Sequence, residues 1–182
     1  ALAVQTLSQA ELATLMRVRD PGLWEEMRAA AGAVKRKVYD NRIVTFAPLY
    51  LSSKCVNNCV YCGLRGENDA VTRRVLTMDE VRAETEALAG KLGHKRLVVV
   101  YGEHPESGAD YIAESIRTVY GMKVQTRKGV GQIRRVNVNA APMRVSELKL
   151  LNECGLGTFQ VFQETYDRRA YAQMHPAATI KG

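Results

Sequence analysis

A chain of 182 residues that is 46% hydrophobic is long enough to bury a core of ordinary domain size. It has no run of about 18 apolar residues and no signal-peptide pattern at its start, so neither a membrane span nor a secretory leader is expected. The net charge of +7 favours anionic partners without choosing among nucleotides, nucleic acid and acidic proteins. Three of the four cysteines, Cys55, Cys59 and Cys62, are crowded into one short segment. A disulfide scaffold would spread them, so a reducing, cytoplasmic setting is expected.

The first forty residues read as two helices. Ser8 with Glu11 forms a capping-box pattern ahead of Leu12, Leu15 and Met16, and Asp20-Pro21 supplies an N-cap followed by Pro at the first helical position. Trp24, Met27, Ala31, Val34 and Val38 recur at helical spacing, which predicts one buried face. From Ile43 the pattern becomes strand, turn, helix, repeated. "IVTFAPLYL" reads as a first strand that runs into the cysteine loop. Thr77 and Glu80 open a helix lined by Val81, Leu88 and Leu92 and closed by Gly93. "RLVVVYGEH" is almost wholly apolar, as a parallel strand covered on both faces would be. A helix around Tyr111 to Tyr120 follows, then a basic loop, then "IRRVNVNAA", in which Val136 and Val138 alternate with Asn137 and Asn139. Ser146 to Cys154 reads as a short helix, "TFQVFQETY" as a fourth strand, and "DRRAYAQM" as a helix cut by His175-Pro176.

Four βα units in succession predict a parallel α/β sheet with crossover helices, and function is expected at the C-terminal ends of its strands. That rim receives the cysteine loop, Gly102-Glu103-His104, Asn139 and Gln163-Glu164-Thr165, so polar groups from four strands converge there. Three thiolates at C-x3-C-x2-C leave a metal site open, which is the habit of catalytic centres. Ordinary buried thiols and a zinc site are the competing readings. Structural zinc wants a fourth ligand and usually paired C-x2-C knuckles, of which Cys59 and Cys62 make only one. A [4Fe–4S] cubane held by three cysteines would keep one iron free for a substrate or cofactor.

The cysteine spacing after the first strand of a parallel barrel resembles that of the radical S-adenosylmethionine (radical SAM) enzymes. The segments "FAPLYLSSKCVNNCVYCG", "GHKRLVVVYGEHP", "RRVNVNAAP" and "FQETYDRRAYAQMHP" resemble the tyrosine lyase branch. They are most similar to its [FeFe]-hydrogenase maturases and a little less so to the thiamine-pathway 2-iminoacetate synthases. The resemblance covers essentially the whole chain. It implies a radical SAM (β/α) barrel, a [4Fe–4S] cluster on Cys55, Cys59 and Cys62, and SAM held by Tyr61, Gly102, Glu103 and Glu164. Asn139 and Gln163 are implied contacts to tyrosine or SAM. The implied reaction is Cα–Cβ cleavage of L-tyrosine to p-cresol and dehydroglycine (2-iminoacetate), begun by a 5′-deoxyadenosyl radical. In hydrogenase maturation dehydroglycine goes on to CO and cyanide. The implied partners are a reductant such as flavodoxin or ferredoxin and other maturation proteins, in an anaerobic organism, with no nucleic acid and no membrane.

The family's barrel has eight units and is followed by a domain with a second cluster motif. Here the expectation is a helical segment over residues 1–42 and the N-terminal half of the barrel over 43–182. Such a half would be inactive alone. Cys154 reads as a buried structural thiol, and Lys123, Arg127, Lys128, Arg134 and Arg135 as a solvated loop on the rim opposite the cysteines. His104 is expected to orient its loop, and His175-Pro176 to end a helix with a further role open. A metal-binding module without catalysis is the alternative from another class. Glu103 and Glu164 argue against it, because a metal carrier has no use for them.

Overall fold

The computed structural model describes residues 5–176 and 179–181, and the chain divides into two compact units, Ala1–Val44 and Thr45–Gly182. The first unit holds α1 (Gln9–Met16) and α2 (Pro21–Tyr39). Both starts form as the sequence predicts. Ser8 and Glu11 make a reciprocal capping box, and the Asp20 carboxylate accepts from the Leu23 N–H at 2.9 Å with Pro21 beside it. The expected buried face of α2 does not form: no residue of the helix is buried, and Trp24 is 42% exposed. Two helices in a unit this small offer too little apolar surface to cover a stripe of that width.

The second unit is built on a four-stranded sheet of order β1-β2-β5-β6, with β1 (Ala47–Ser52), β2 (Arg96–Tyr101), β5 (Arg135–Asn139) and β6 (Phe159–Gln160), every neighbour parallel. The connections carry α3 (Met78–Thr85), α4 (Ala109–Gly121) and α5 (Val145–Glu153), and α6 (Arg168–Met174) follows β6. α3 opens on the Thr77–Glu80 capping box and runs into a π-helical segment, Glu86–Lys91, after which Leu92 points to solvent rather than lining the helix as expected. Leu51, Leu97, Val99, Val136 and Val138 join Val81, Ile112, Ile116, Val119 and Leu151 in one core. The crossover helices pack on this face of the sheet.

Three expectations change. β2 is fully covered on one face only: Leu97, Val99 and Tyr101 are buried, while Val98 and Val100 are half-buried on the other. The fourth strand is two residues long, and Val161, Phe162 and Tyr166 beyond it are exposed. No further strand among the described residues pairs with its outer edge, so nothing extends it. The basic stretch is not a plain loop but an antiparallel hairpin, β3 (Val124–Thr126) and β4 (Gly129–Gly131), turning through Arg127 and Lys128. Two short runs separated by two residues is a hairpin signal that the run of charge obscured.

The Thr77 cap faces solvent but anchors the crossover from β1 to β2. Thr77→Ala should lower the stability of the chain by about 1 kcal/mol in urea unfolding. Glu80 is held below the ordinary carboxylate range, chiefly by the Thr77 N–H. Its contribution is therefore in place above the ordinary Glu pKa and is lost as pH falls through the lowered value. Glu80→Gln should flatten that part of the acid-side decline in stability.

Candidate functional site

The pairing of β1 with β2 does not stop at the strand ends. Gly102 N–H donates to the Ser52 carbonyl at 3.0 Å and Val56 N–H to the Glu103 carbonyl at 2.8 Å, so the cysteine loop leaves the sheet alongside Gly102-Glu103. The two backbones are so close that a Cβ on residue 102 would overlap the Lys54 carbonyl oxygen and lie 3.2 Å from the Cys55 Cβ. Only glycine allows this approach. Past Cys55 the loop closes on itself. Cys62 N–H donates to the Cys59 carbonyl at 3.0 Å, and Gly66 N–H to the Asn57 carbonyl at 2.8 Å.

Cys55, Cys59 and Cys62 are all free thiols, Cys59 buried and the other two half-buried. They line a cavity of about 460 Å³ at the C-terminal ends of the strands. Tyr61, Gly102, Glu103, Asn139 and Glu164 line the same cavity. Gln163 is exposed and does not, its carbonyl instead accepting from the Thr165 N–H at 2.8 Å. Glu164 adopts a positive φ of 65°. A non-glycine residue in the left-handed region is uncommon, and such residues cluster at functional sites.

Several polar contacts here have no counterpart in the sequence reading. The Asn57 amide donates to Glu103 Oε2 at 2.5 Å, and its carbonyl oxygen accepts from the Lys181 N–H at 2.9 Å. Asn57 is 3% exposed and sets the direction of the Glu103 carboxylate. His175 does end α6 as expected, but it is also buried against the cysteine loop. Its Nδ1 lies 2.9 Å from the Tyr171 carbonyl, which can only accept, so Nδ1 carries the proton. Nε2 is then the acceptor for the Tyr61 hydroxyl at 3.0 Å. Val60 N–H donates to the Met174 carbonyl at 3.0 Å, fastening the same turn to α6. Burial raises the pKa of the Tyr61 phenol, and Cys59 and Glu164 add to it, so the phenol stays neutral and keeps its donor proton.

The remaining residues behave as local structure. His104 Nδ1 accepts from the Glu106 N–H at 3.2 Å and shapes its own turn. The Cys154 thiol donates to the Leu150 carbonyl at 3.1 Å and is half-buried against the core.

The donor set can be tested against the group it would hold. Among the described residues no three His, Cys, Asp or Glu side chains converge as a single metal ion requires. A cubane makes a different demand, since each thiolate takes its own iron and the three sulfurs stand around a body rather than a point. Three free thiols around one cavity, with a close-approach glycine and a directed carboxylate beside them, fit that demand.

Residues 49–181 match the radical SAM superfamily. The crystal structure of the [FeFe]-hydrogenase maturase HydG superposes with a TM-score of 0.81 at 46% identity, covering 96% of this chain and 37% of that one. HydG from Carboxydothermus hydrogenoformans gives 0.75 at 35% identity, covering 94% and 38%. The 2-iminoacetate synthase of Escherichia coli (strain K12) is 27% identical, covering 96% of this chain and 44% of its own length. The chain belongs to the radical SAM superfamily, whose members use a [4Fe–4S] cluster and SAM. It spans less than half the length of these relatives.

Gly102→Ala should cost about 1–3 kcal/mol by overpacking, because the obstructing atom is backbone rather than a movable side chain. Urea unfolding of the apo chain measures it, and wild-type stability would show that the Lys54 backbone yields freely.

Proposed function

We propose that the chain is the cluster-bearing part of a radical SAM tyrosine lyase serving [FeFe]-hydrogenase maturation. The observation that carries this reading is one cavity lined by three free thiols, a close-approach glycine and two carboxylates, in a chain 46% identical to HydG. Residues 43–182 act as the N-terminal half of the barrel. Cys55, Cys59 and Cys62 hold the cluster, and the bound cluster and SAM together supply a 5′-deoxyadenosyl radical.

Within the cavity each side chain has a distinct task. Asn57 aims the Glu103 carboxylate, which would hold the ammonium group of SAM in a charge-assisted hydrogen bond. Glu164 offers a second acceptor toward SAM. Tyr61, fixed through its hydroxyl by His175, would offer its ring to the adenine of SAM. Asn139, on the cavity wall, and Gln163 are the contacts to tyrosine or SAM. Cleavage of L-tyrosine yields p-cresol and dehydroglycine, with an electron supplied by a small reductant protein such as flavodoxin or ferredoxin. Such chemistry belongs in a reducing, anaerobic cytoplasm. No helix among the described residues is long and apolar enough to cross a membrane.

Anaerobic reconstitution should give a brown [4Fe–4S] protein that loses its cubane when any one of the three cysteines becomes Ala. Stoichiometric zinc with no chromophore would end the cluster reading. Glu103→Ala should keep the cluster but weaken SAM binding by roughly ten- to a hundredfold, the worth of one charge-assisted contact. Unchanged SAM affinity would remove Glu103 from the site.

Radical chemistry needs a closed, dry cavity, and here Tyr50 and Phe162 on the cavity wall are 58% and 55% exposed. With dithionite, SAM and tyrosine, this chain should release 5′-deoxyadenosine with little or no p-cresol. Adding the rest of a maturase barrel should restore tyrosine cleavage. Stoichiometric p-cresol from the chain alone would show that four strands suffice.

A further inference from the structure

Arg73 lies on the segment that returns from the cysteine loop toward α3, and the two residues after it are anchored to β1. Ser53 N–H donates to the Arg74 carbonyl at 2.9 Å, Arg74 N–H donates to Ser53 Oγ at 3.0 Å, and Ser52 bridges Val75. From this base the half-buried guanidinium reaches four carbonyls. Nη1 donates to Ser53 at 2.8 Å and to Leu64 at 2.6 Å, while Nη2 donates to Arg65 and, at 3.1 Å, to Asn68. Ser53 precedes the first cysteine and the other three residues follow the last, so one planar group ties the entry of the loop to its exit. No carboxylate among the described residues forms an ion pair with Arg73, so carbonyl dipoles alone meet its charge there.

The turn that Arg73 grips also presents an amide to a ligand: Leu64 N–H donates to Cys62 Sγ at 3.4 Å. Hydrogen bonds to cluster sulfurs and nearby net charge are the main protein controls on the potential of an iron–sulfur centre. An N–H donor and a positive charge both favour the reduced state, because reduction adds negative charge.

We propose that Arg73 is the positioning residue of the cysteine loop, holding Cys62 and the Leu64 amide in place and thereby raising the reduction potential of the cluster. The proposal rests on the cluster reading above. A lysine keeps the charge but cannot stand in. An ammonium is a point donor on a flexible stem, whereas the guanidinium fork serves both sides of the loop in one plane.

The test uses the chain as it stands, wild type against Arg73→Lys and Arg73→Gln, with two readouts. Hydrogen–deuterium exchange on the apo chain follows the amides of residues 62–68, and redox titration of the reconstituted protein gives the midpoint potential. Arg73→Lys is expected to keep the far-ultraviolet circular dichroism of the wild type. Its loop amides should exchange about tenfold faster, as expected when charge-assisted contacts are lost. Its potential should be more negative, with an altered electron paramagnetic resonance signal from the reduced cluster. If Arg73→Gln fails to fold, the lysine variant decides. Unchanged exchange overturns the proposal, and so does faster exchange with an unchanged potential, which would leave Arg73 a purely fold-holding residue. A wild-type chain that binds no cluster overturns the cluster reading and the potential with it, while exchange in the apo chain still reports whether Arg73 holds the loop.

Discussion

The site depends on β1 and β2 continuing to pair after both strands have left the sheet. The Gly102–Ser52 and Val56–Glu103 hydrogen bonds extend the parallel ladder beyond the rim, and the missing side chain at Gly102 lets the two backbones meet. As a result the first cysteine and the Gly102-Glu103 pair emerge side by side, although forty-odd residues of crossover separate them in sequence. A parallel connection forces this arrangement. Successive strands end at the same edge, so each loop adds its groups to one rim.

Around that seam the cysteine loop is held from three directions by different chemistry. The sheet holds its start through backbone pairing, the Arg73 guanidinium holds its flanks through carbonyls, and the end of α6 holds its middle. The last contact joins the first and fourth βα units through Val60–Met174 and Tyr61–His175. A flexible loop carrying three thiols would lose conformational entropy on binding a cluster. These contacts meet that cost during folding, before any ligand arrives.

The cavity face of the sheet has a different character from the helical face. Leu51, Val99 and Val138 are sealed beneath helices, whereas Tyr50, Val100 and Asn139 line the cavity. Alternation along each strand thus sends one set of residues to stability and the other to the site. The polar residues at strand ends, and the positive φ of Glu164, lie where the core has no claim on them.

Element order, parallel topology and the cysteine motif were legible in the sequence because each rests on local pattern. Capping boxes at Ser8 and Thr77, the Asp20-Pro21 start and the C-x3-C-x2-C spacing are short-range signals that tertiary contacts reinforce. The β3–β4 hairpin was legible in principle but hidden under its charges. Other features are tertiary by nature. The exposure of α2 and the shortness of β6 depend on what lies beside them, which no periodicity encodes. Asn57 and His175 lie within quoted motifs and Arg73 lies outside them, but the task of each was hidden, since each acts through carbonyls, a carboxylate or a phenol brought near only by the fold. The sequence by itself determined which three thiols stand close together in one loop, because C-x3-C-x2-C is a short-range spacing. Only the tertiary structure decided which residues hold those thiols in place, because that depends on distances across the chain rather than along it.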